Sequence, residues 1–357
     1  MRHRSLVVLS IVVLATVVFS AVVIAGQQRS GQPAAAAPRP AASAQGARPY
    51  VVPKTPDGQP DLQGYWTNAT YTGLERPNNV TKEFYTDAEY DALIKTRAAG
   101  EEEQTTPGTT ADVHYDFTQF ALDTSQSTIP RNLRTSLIFD PPDGRVPRIA
   151  QAGGQAGGRG GRGGGGGGAR GGGGGARGGQ YDAIQNMPIG SRCIVAGGAG
   201  PPLMDAGYNA VYQIVQAPGY VMILTEMIHD ARIIPLDNRP PAPEQLKQWI
   251  GFSRGRWEGN TLVVETTNFN GRRPFQGSSQ NLRITERFTR VADDKIDYTF
   301  TAEDPTVWTR PWSASVPMAK EKGPMFEFAC HETNYGPANI LAGARAEERE
   351  AAASGKQ

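Results

Sequence analysis

The sequence predicts a mainly β protein, with a single antiparallel barrel-like or sandwich domain, long loops and few short helices. Residues 220–225 (YVMILT) are apolar on both faces, which is typical of a central strand. Gly259 and Asn260 form a hairpin-turn signature between two strand-like runs. Residues 282–291 and 296–302 are joined by a short polar turn and predict a second hairpin.

Successive strands joined by short turns favour a barrel or sandwich over a doubly wound fold. The sequence has neither βαβ spacing nor a glycine-rich phosphate-binding fingerprint. We also expect residues 325–330 to be a strand, because Phe326, Phe328 and Cys330 alternate with other residues. Residues 86–99 predict a helix, with Thr86 or Asp87 as its cap and Glu89 at the capping-box position.

The N-terminus predicts export. A basic start is followed by an uncharged run over residues 6–25, which is typical of a signal peptide. The run has about 20 residues, enough to span a bilayer, so residues 1–25 are either a cleaved signal peptide or an N-terminal anchor. The chain after residue 25 is expected to be periplasmic or extracellular, and the membrane is a partner only if the leader is retained.

Composition divides the rest of the chain. Residues 26–49 are rich in Pro and Ala and predict a disordered tether. Residues 50–341 predict one β-rich domain, interrupted at residues 151–180 by a flexible Gly/Arg-rich insertion, and residues 342–357 predict a C-terminal helix or tail. The net charge of +1 and the exported location argue against a nucleic-acid partner.

The chain has two cysteines, Cys193 and Cys330. In an oxidising compartment, an even number of cysteines predicts a disulfide. The alternative is a pair of buried free thiols.

Several long motifs carry a resemblance to known proteins: DGQPDLQGYW, TEMIHDARIIPL, SRGRWEGNTLVVETTNF and ACHETNY. They are similar to segments of a family of exported bacterial proteins of unknown function. The resemblance extends over most of residues 57–348 and implies that they form one unit, but it implies no activity. A second resemblance, through Gly64-Tyr65-Trp66 ahead of a strand meander, is to lipocalin-like barrels.

The first candidate site is the segment after the apolar strand at 220–225. Glu226, His229 and Asp230 are candidate catalytic residues, because a histidine flanked by carboxylates suits proton transfer near neutral pH. If strand geometry continues, Glu226, Asp230 and Arg232 share one face. The alternative is a structural role, with a His–Asp hydrogen bond and an Arg ion pair closing the strand end.

Two further groups are candidate ligand contacts. His331 and Glu332 directly follow Cys330, where a disulfide would orient them. Glu286 and Glu265 are predicted to face apolar surroundings, so each needs a basic partner such as Arg254, Arg256 or another, or else lines a polar pocket. Aromatic faces suit carbohydrate or apolar ligands, and this makes Trp257 a candidate contact, although core filling is the expected role of at least two residues among Trp257, Trp308, Trp312 and Tyr298.

We predict neither a metal site nor a cofactor. After export only three histidines remain, His114, His229 and His331, and none has metal-binding spacing to another. The sequence therefore predicts an exported protein that binds a small ligand, glycan or lipid-like, at a barrel mouth. The alternatives are a hydrolase or lyase using His229 with a carboxylate partner, and a cell-envelope scaffold without a site.

Overall fold

In the described part of the chain, eleven strands form one antiparallel sheet, so the prediction of a mainly β fold is confirmed. The computed structural model describes residues 50–101, 129–150, 183–195, 198–205, 209–237, 239–332 and 334–355. The predicted leader, the tether, His114 and the Gly/Arg-rich block lie outside these residues. The strands are β1 Gly64–Thr67, β2 Ile138–Asp140, β3 Val211–Ala217, β4 Tyr220–Thr225, β5 Ala231–Pro235, β6 Phe252–Glu258, β7 Thr261–Thr267, β8 Arg283–Ala292, β9 Lys295–Glu303, β10 Trp312–Ser315 and β11 Met318–Glu321.

The sheet order is β5-β4-β3-β1-β11-β9-β8-β7-β6, and β10 pairs with both β9 and β2. The predicted central strand is β4, which lies between β3 and β5. Both predicted hairpins are confirmed. In the first, Glu258 pairs with Thr261 across a turn where Gly259 has a φ of 60°, a conformation that favours glycine. In the second, Ala292 pairs with Lys295.

The sheet is open, so the predicted barrel-like or sandwich domain is not a closed barrel. Its end strands β5 and β6 contact each other, but in the described chain no ladder pairs them. Apolar side chains fill this β5–β6 seam. A Cβ atom added to Gly255 would lie only 2.8 Å from Leu236 Cδ2 and 2.9 Å from Ile234 Cγ2. The seam is therefore held by side-chain packing against a glycine instead of by backbone hydrogen bonds.

One face of the sheet carries an aromatic core. The largest fully buried side chains include Trp66, Trp312, Tyr212, Tyr298, Phe288 and Phe300. Phe288 stacks on Tyr298 with ring centroids 4.7 Å apart, and Trp308 meets Trp312 edge to face at 5.4 Å. Trp308, Trp312 and Tyr298 are all buried, which confirms core filling as the role of at least two of the four candidate aromatics.

The described part of the chain contains two α-helices. Helix α1 spans Asp87–Glu101 and begins at the predicted capping box: the Glu89 amide donates to Thr86 Oγ1 (3.3 Å), and the Thr86 amide donates to Glu89 Oε2 (2.8 Å). Helix α2 spans Gly336–Ala353 and so begins before the predicted boundary at residue 342. Pro337 in its first turn is compatible with a helix start, because the first amides have no intrahelical acceptor.

Candidate ligand-binding site

The segment between β4 and β5 is a turn, so the prediction of continued strand geometry is wrong. Met227–His229 form a single 3₁₀ turn in which Ile228 and His229 have φ values of 61° and 46°. These left-handed conformations reverse the chain before β5. Glu226, Asp230 and Arg232 consequently do not share a strand face.

Glu226 and His229 both contact the C-terminal part of the chain. The buried carboxylate of Glu226 accepts a hydrogen bond from the Phe326 amide (3.1 Å). His229 Nδ1 lies 3.2 Å from the carbonyl oxygen of Phe328. Since a carbonyl oxygen only accepts, this bond forms when Nδ1 carries the hydrogen. Two of the three candidate catalytic side chains, Glu226 and His229, therefore bind main-chain groups.

The prediction of a strand over residues 325–330 is wrong, because these residues are irregular. The amide of Phe326 and the carbonyl of Phe328 face side chains of the 226–230 turn instead of a neighbouring strand. Alternation along the sequence gave no sign of this, because the hydrogen-bonding partners lie about one hundred residues away.

Glu286 is fully buried and pairs with Arg232, a basic residue on β5, and not with Arg254 or Arg256. Arg232 Nη1 and Nη2 donate to the two carboxylate oxygens of Glu286 at 2.7 and 3.1 Å. This bidentate geometry is the strongest form of an Arg–carboxylate pair. The Tyr298 hydroxyl adds a third bond to the carboxylate at 2.9 Å, and the Leu203 amide in turn donates to Tyr298 Oη at 2.8 Å.

Two further polar side chains, those of Tyr212 and Arg273, bind backbone carbonyls of a loop formed by residues 198–205. Tyr212 donates its hydroxyl to the Gly198 or Met204 carbonyl (3.1 and 2.9 Å), and Arg273 Nη1 donates to the Gly200 carbonyl (3.1 Å). Burial raises the pKa of both Tyr212 and Tyr298, which keeps their hydroxyl groups protonated and able to donate. Tyr212, Arg273 and Tyr298 were not predicted as polar anchors, because an isolated aromatic or basic residue in a strand pattern does not indicate a buried partner.

The other candidate ligand contacts are dispersed. Glu265 lies on the outer face, where Arg256 Nη1 donates to it at 2.6 Å, and Trp257 packs partly buried against the main core. His331 and Glu332 are exposed. They follow Cys330, which forms the predicted disulfide with Cys193. The predicted residues thus occupy at least four separate environments.

A cavity of about 270 Å³ lies where the starts of β5 and β6 meet the end of β7, and we call it the Trp249 pocket. Of the residues predicted from sequence, only Asp230 lines it. The pocket combines four apolar side chains with four polar ones. Its lining residues are Ile194, Val195, Asp230, Lys247, Gln248, Trp249, Ile250 and Asn270.

Asn268 organises the loop that carries most of the pocket residues. Its side-chain amide Nδ2 faces the carbonyls of Pro243 (2.9 Å), Leu246 (3.1 Å) and Ala242 (3.3 Å). The Gln248 amide donates to the Asn268 carbonyl, and the Asn270 amide donates to the Gln248 carbonyl. Gln248 and Asn270 are therefore held together through the backbone. The only sign of this loop in the sequence is the pair of asparagines, Asn268 and Asn270, that follows strand β7, because asparagine is common in turns.

A larger cavity of about 450 Å³ lies beside helix α1, but two of its charged groups, Asp91 and Arg131, are already paired with each other. Arg131 binds Asp87 and Asp91 at 2.8 and 2.7 Å and lies over the Tyr90 ring. Within the described ranges, no group of three or more His, Cys, Asp or Glu residues could hold a metal ion. The Trp249 pocket is accordingly the better candidate site.

No protein-family model, characterised protein or solved structure matches this chain. The fold and the contacts therefore carry the functional argument. The Cys193–Cys330 disulfide indicates an oxidising compartment. In the part of the chain that the structure describes, no helix is long and apolar enough to cross a membrane.

Proposed function

We propose that this is an exported protein that binds a small, hydroxyl-rich ligand, such as one sugar unit of a glycan, in the Trp249 pocket. The observation that carries the proposal is the pocket lining. A half-buried indole lies in the same cavity as a carboxylate, two amide side chains and an amine. Ligand sites typically combine an apolar or aromatic surface with a few polar groups that orient the ligand.

The lining favours a sugar over a lipid. Four of the eight lining residues are polar or charged, and an acyl chain offers none of them a hydrogen bond, whereas a sugar hydroxyl does. The volume of about 270 Å³ is close to the lower limit of about 300 Å³ for ligand sites. A compact ring with several hydroxyl groups fits both properties.

The four polar side chains supply complementary chemistry. Asp230 accepts hydrogen bonds, Lys247 donates them, and the amides of Gln248 and Asn270 do both. A hydroxyl group also donates and accepts, so it can pair with each of these groups. Trp249 provides an apolar ring face that can cover the C–H face of a sugar.

Export is part of the proposal. The N-terminal pattern predicts a periplasmic or extracellular location, and the disulfide is compatible with both. Extracytoplasmic glycans are abundant ligands in such compartments, which agrees with the chemistry of the pocket.

The test is a binding titration with methyl pyranosides of glucose, galactose and N-acetylglucosamine, followed by saturation-transfer NMR. We expect a dissociation constant on the order of 1 mM for at least one of them, which corresponds to about −4 kcal/mol. Trp249→Leu should weaken binding about tenfold or more. The matched control is Trp257→Leu, because Trp257 is also a half-buried tryptophan but packs on the main core outside the pocket.

Each other outcome has a defined meaning. If laurate binds and no pyranoside does, the ligand of this pocket is lipid-like and not a sugar. Equal affinity for Trp249→Leu and the wild type would move the ligand away from this pocket. No binding of either class would leave the scaffold as the better description.

A further inference from the structure

Residues 323–332 and 334 form an irregular segment that we call the C-terminal strap. It leads from strand β11 to helix α2 and has little regular hydrogen bonding of its own. Its contacts with the domain include the Cys193–Cys330 disulfide, the Phe326 amide on Glu226, the Phe328 carbonyl on His229, and Asn334 Nδ2 on the Ser191 carbonyl (3.0 Å). Distant side chains therefore hold the strap in position.

The strap packs against the apolar side of the Trp249 pocket. A small apolar cluster, separate from the main core, contains the buried residues Val195, Ala199, Met227 and Ile228. Phe328 and Cys330 of the strap pack against this cluster from one direction. Ile194, Trp249 and Ile250, which line the pocket, pack against the same cluster.

The pocket wall at residues 189–195 has little support of its own. Within it, the described backbone bonds are short-range turns, from the Arg192 and Ile194 amides to the Ile189 carbonyl and from the Cys193 amide to the Gly190 carbonyl. Segments with few long-range contacts open locally at low free-energy cost. The disulfide at Cys193 lies directly before Ile194 and Val195, both of which line the pocket.

We propose that the C-terminal strap is a positioning element of the binding site, which holds the apolar wall of the Trp249 pocket. Glu226 and His229 then act as positioning residues through their bonds to the strap main chain. The role of the strap in binding rests on the proposed function, because the strap supports a wall of the proposed ligand pocket. It also explains why an acid and a histidine lie three residues apart without sharing a reacting group.

The first test is hydrogen–deuterium exchange of the purified protein with two matched variants, Phe328→Ala and Phe326→Ala. Phe328 packs on the apolar cluster, whereas Phe326 is 57% exposed. We expect Phe328→Ala to speed exchange about tenfold at residues 189–195 and 247–250, with no change in the distant β8–β9 hairpin. Phe326→Ala should leave all of these rates unchanged. Equal exchange in both variants at 189–195 and 247–250 would overturn the proposal.

The second test separates positioning from catalysis at Glu226. Glu226→Ala removes the acceptor for the Phe326 amide and should speed exchange at residues 325–330 and 189–195. Glu226→Gln retains a carbonyl oxygen in the same place and should restore slow exchange. If Glu226 acted through its negative charge, exchange would be fast in both variants, because both remove that charge. Fast exchange in Glu226→Gln as well would therefore count against a positioning role.

The third test uses the disulfide. Reduction with excess dithiothreitol, compared with the Cys193→Ser/Cys330→Ser variant, should produce the same faster exchange at residues 189–195. None of these exchange measurements needs a ligand, so they fail or succeed independently of the sugar titration. If the strap controls the wall but no pyranoside binds, the positioning role stands and the proposed function falls. If a pyranoside binds with equal affinity to the wild type and Phe328→Ala, the strap has no role in binding.

Discussion

Two glutamates on neighbouring strands show that the face of the sheet on which an ion pair lies determines how much stability is lost when the pair is broken. Glu286 on β8 lies opposite Val264, whereas Glu265 on β7 lies opposite Thr285. The two glutamates are thus one register step apart and point to opposite faces. Glu286 faces the core and pairs with Arg232, whereas Glu265 faces solvent and pairs with Arg256.

The two pairs have nearly the same separation and different surroundings. The shortest nitrogen–oxygen distances are 2.7 Å for Arg232–Glu286 and 2.6 Å for Arg256–Glu265. The buried side chains are 5% and 0% exposed, and the outer ones are 52% and 35% exposed. Water and salt screen the outer pair, but loss of one partner inside leaves a charge without solvation. The comparison teaches that burial, not distance, sets the consequence of breaking each pair.

The largest effect is expected from Glu286→Ala. The substitution leaves the buried guanidinium of Arg232 without its partner, and this should lower the free energy of unfolding by about 3–5 kcal/mol. Urea unfolding followed by circular dichroism measures the change. The double variant Arg232→Met/Glu286→Leu removes both charges and should recover most of the loss. A double variant as unstable as Glu286→Ala would show that the pair itself contributes net stability.

An intermediate effect is expected from Tyr298→Phe. The hydroxyl group donates to Glu286 and accepts from the Leu203 amide, so its removal leaves a buried amide without an acceptor. The expected loss is about 1–3 kcal/mol in the same urea assay. Phe288→Leu, in the stacked neighbouring ring, is a useful control, because it changes packing and leaves the hydrogen bonds intact. If the amide of Leu203 exchanges at the wild-type rate in Tyr298→Phe, the hydroxyl does not anchor the loop.

The smallest effect is expected from Arg256→Ala. Its partners, Glu265 and Glu258, remain solvated when the guanidinium is lost, so the free energy of unfolding should change by about 0–1 kcal/mol. The change should shrink further in 1 M salt, where charges are screened within about 3 Å. A loss comparable to that of Glu286→Ala would contradict the comparison between the two faces.

Much of the local structure was predictable, because its causes are local. Gly259-Asn260 and the short turn after Ala292 determine two hairpins, and Thr86 with Glu89 determines where α1 begins. The disulfide followed from the cysteine count and the predicted compartment. The burial of Glu286 also followed from strand alternation, since Leu282, Ile284 and Phe288 lie on the same side.

The candidate site was much less predictable. Asp230 was the only expected residue that lines the pocket, and Trp249, Asn270 and the organising Asn268 were missed. The pocket is built where the starts of two strands and the end of a third converge, so no continuous motif encodes it. Glu226 and His229 were predicted as a site because they lie close together in the sequence. Their partners, however, are main-chain groups about one hundred residues further along the chain.

The sequence by itself determined the class of fold, the strand pairs joined by tight turns, the cysteine pair and the face of Glu286. These properties depend on side-chain periodicity and on residues a few positions apart. Only the tertiary structure decided that Arg232 meets Glu286, that the β5–β6 seam stays open and that the strap supports the Trp249 pocket. Each of these depends on segments far apart in sequence, and the free energy of burying a charge or an apolar wall is defined only once the chain has brought them together.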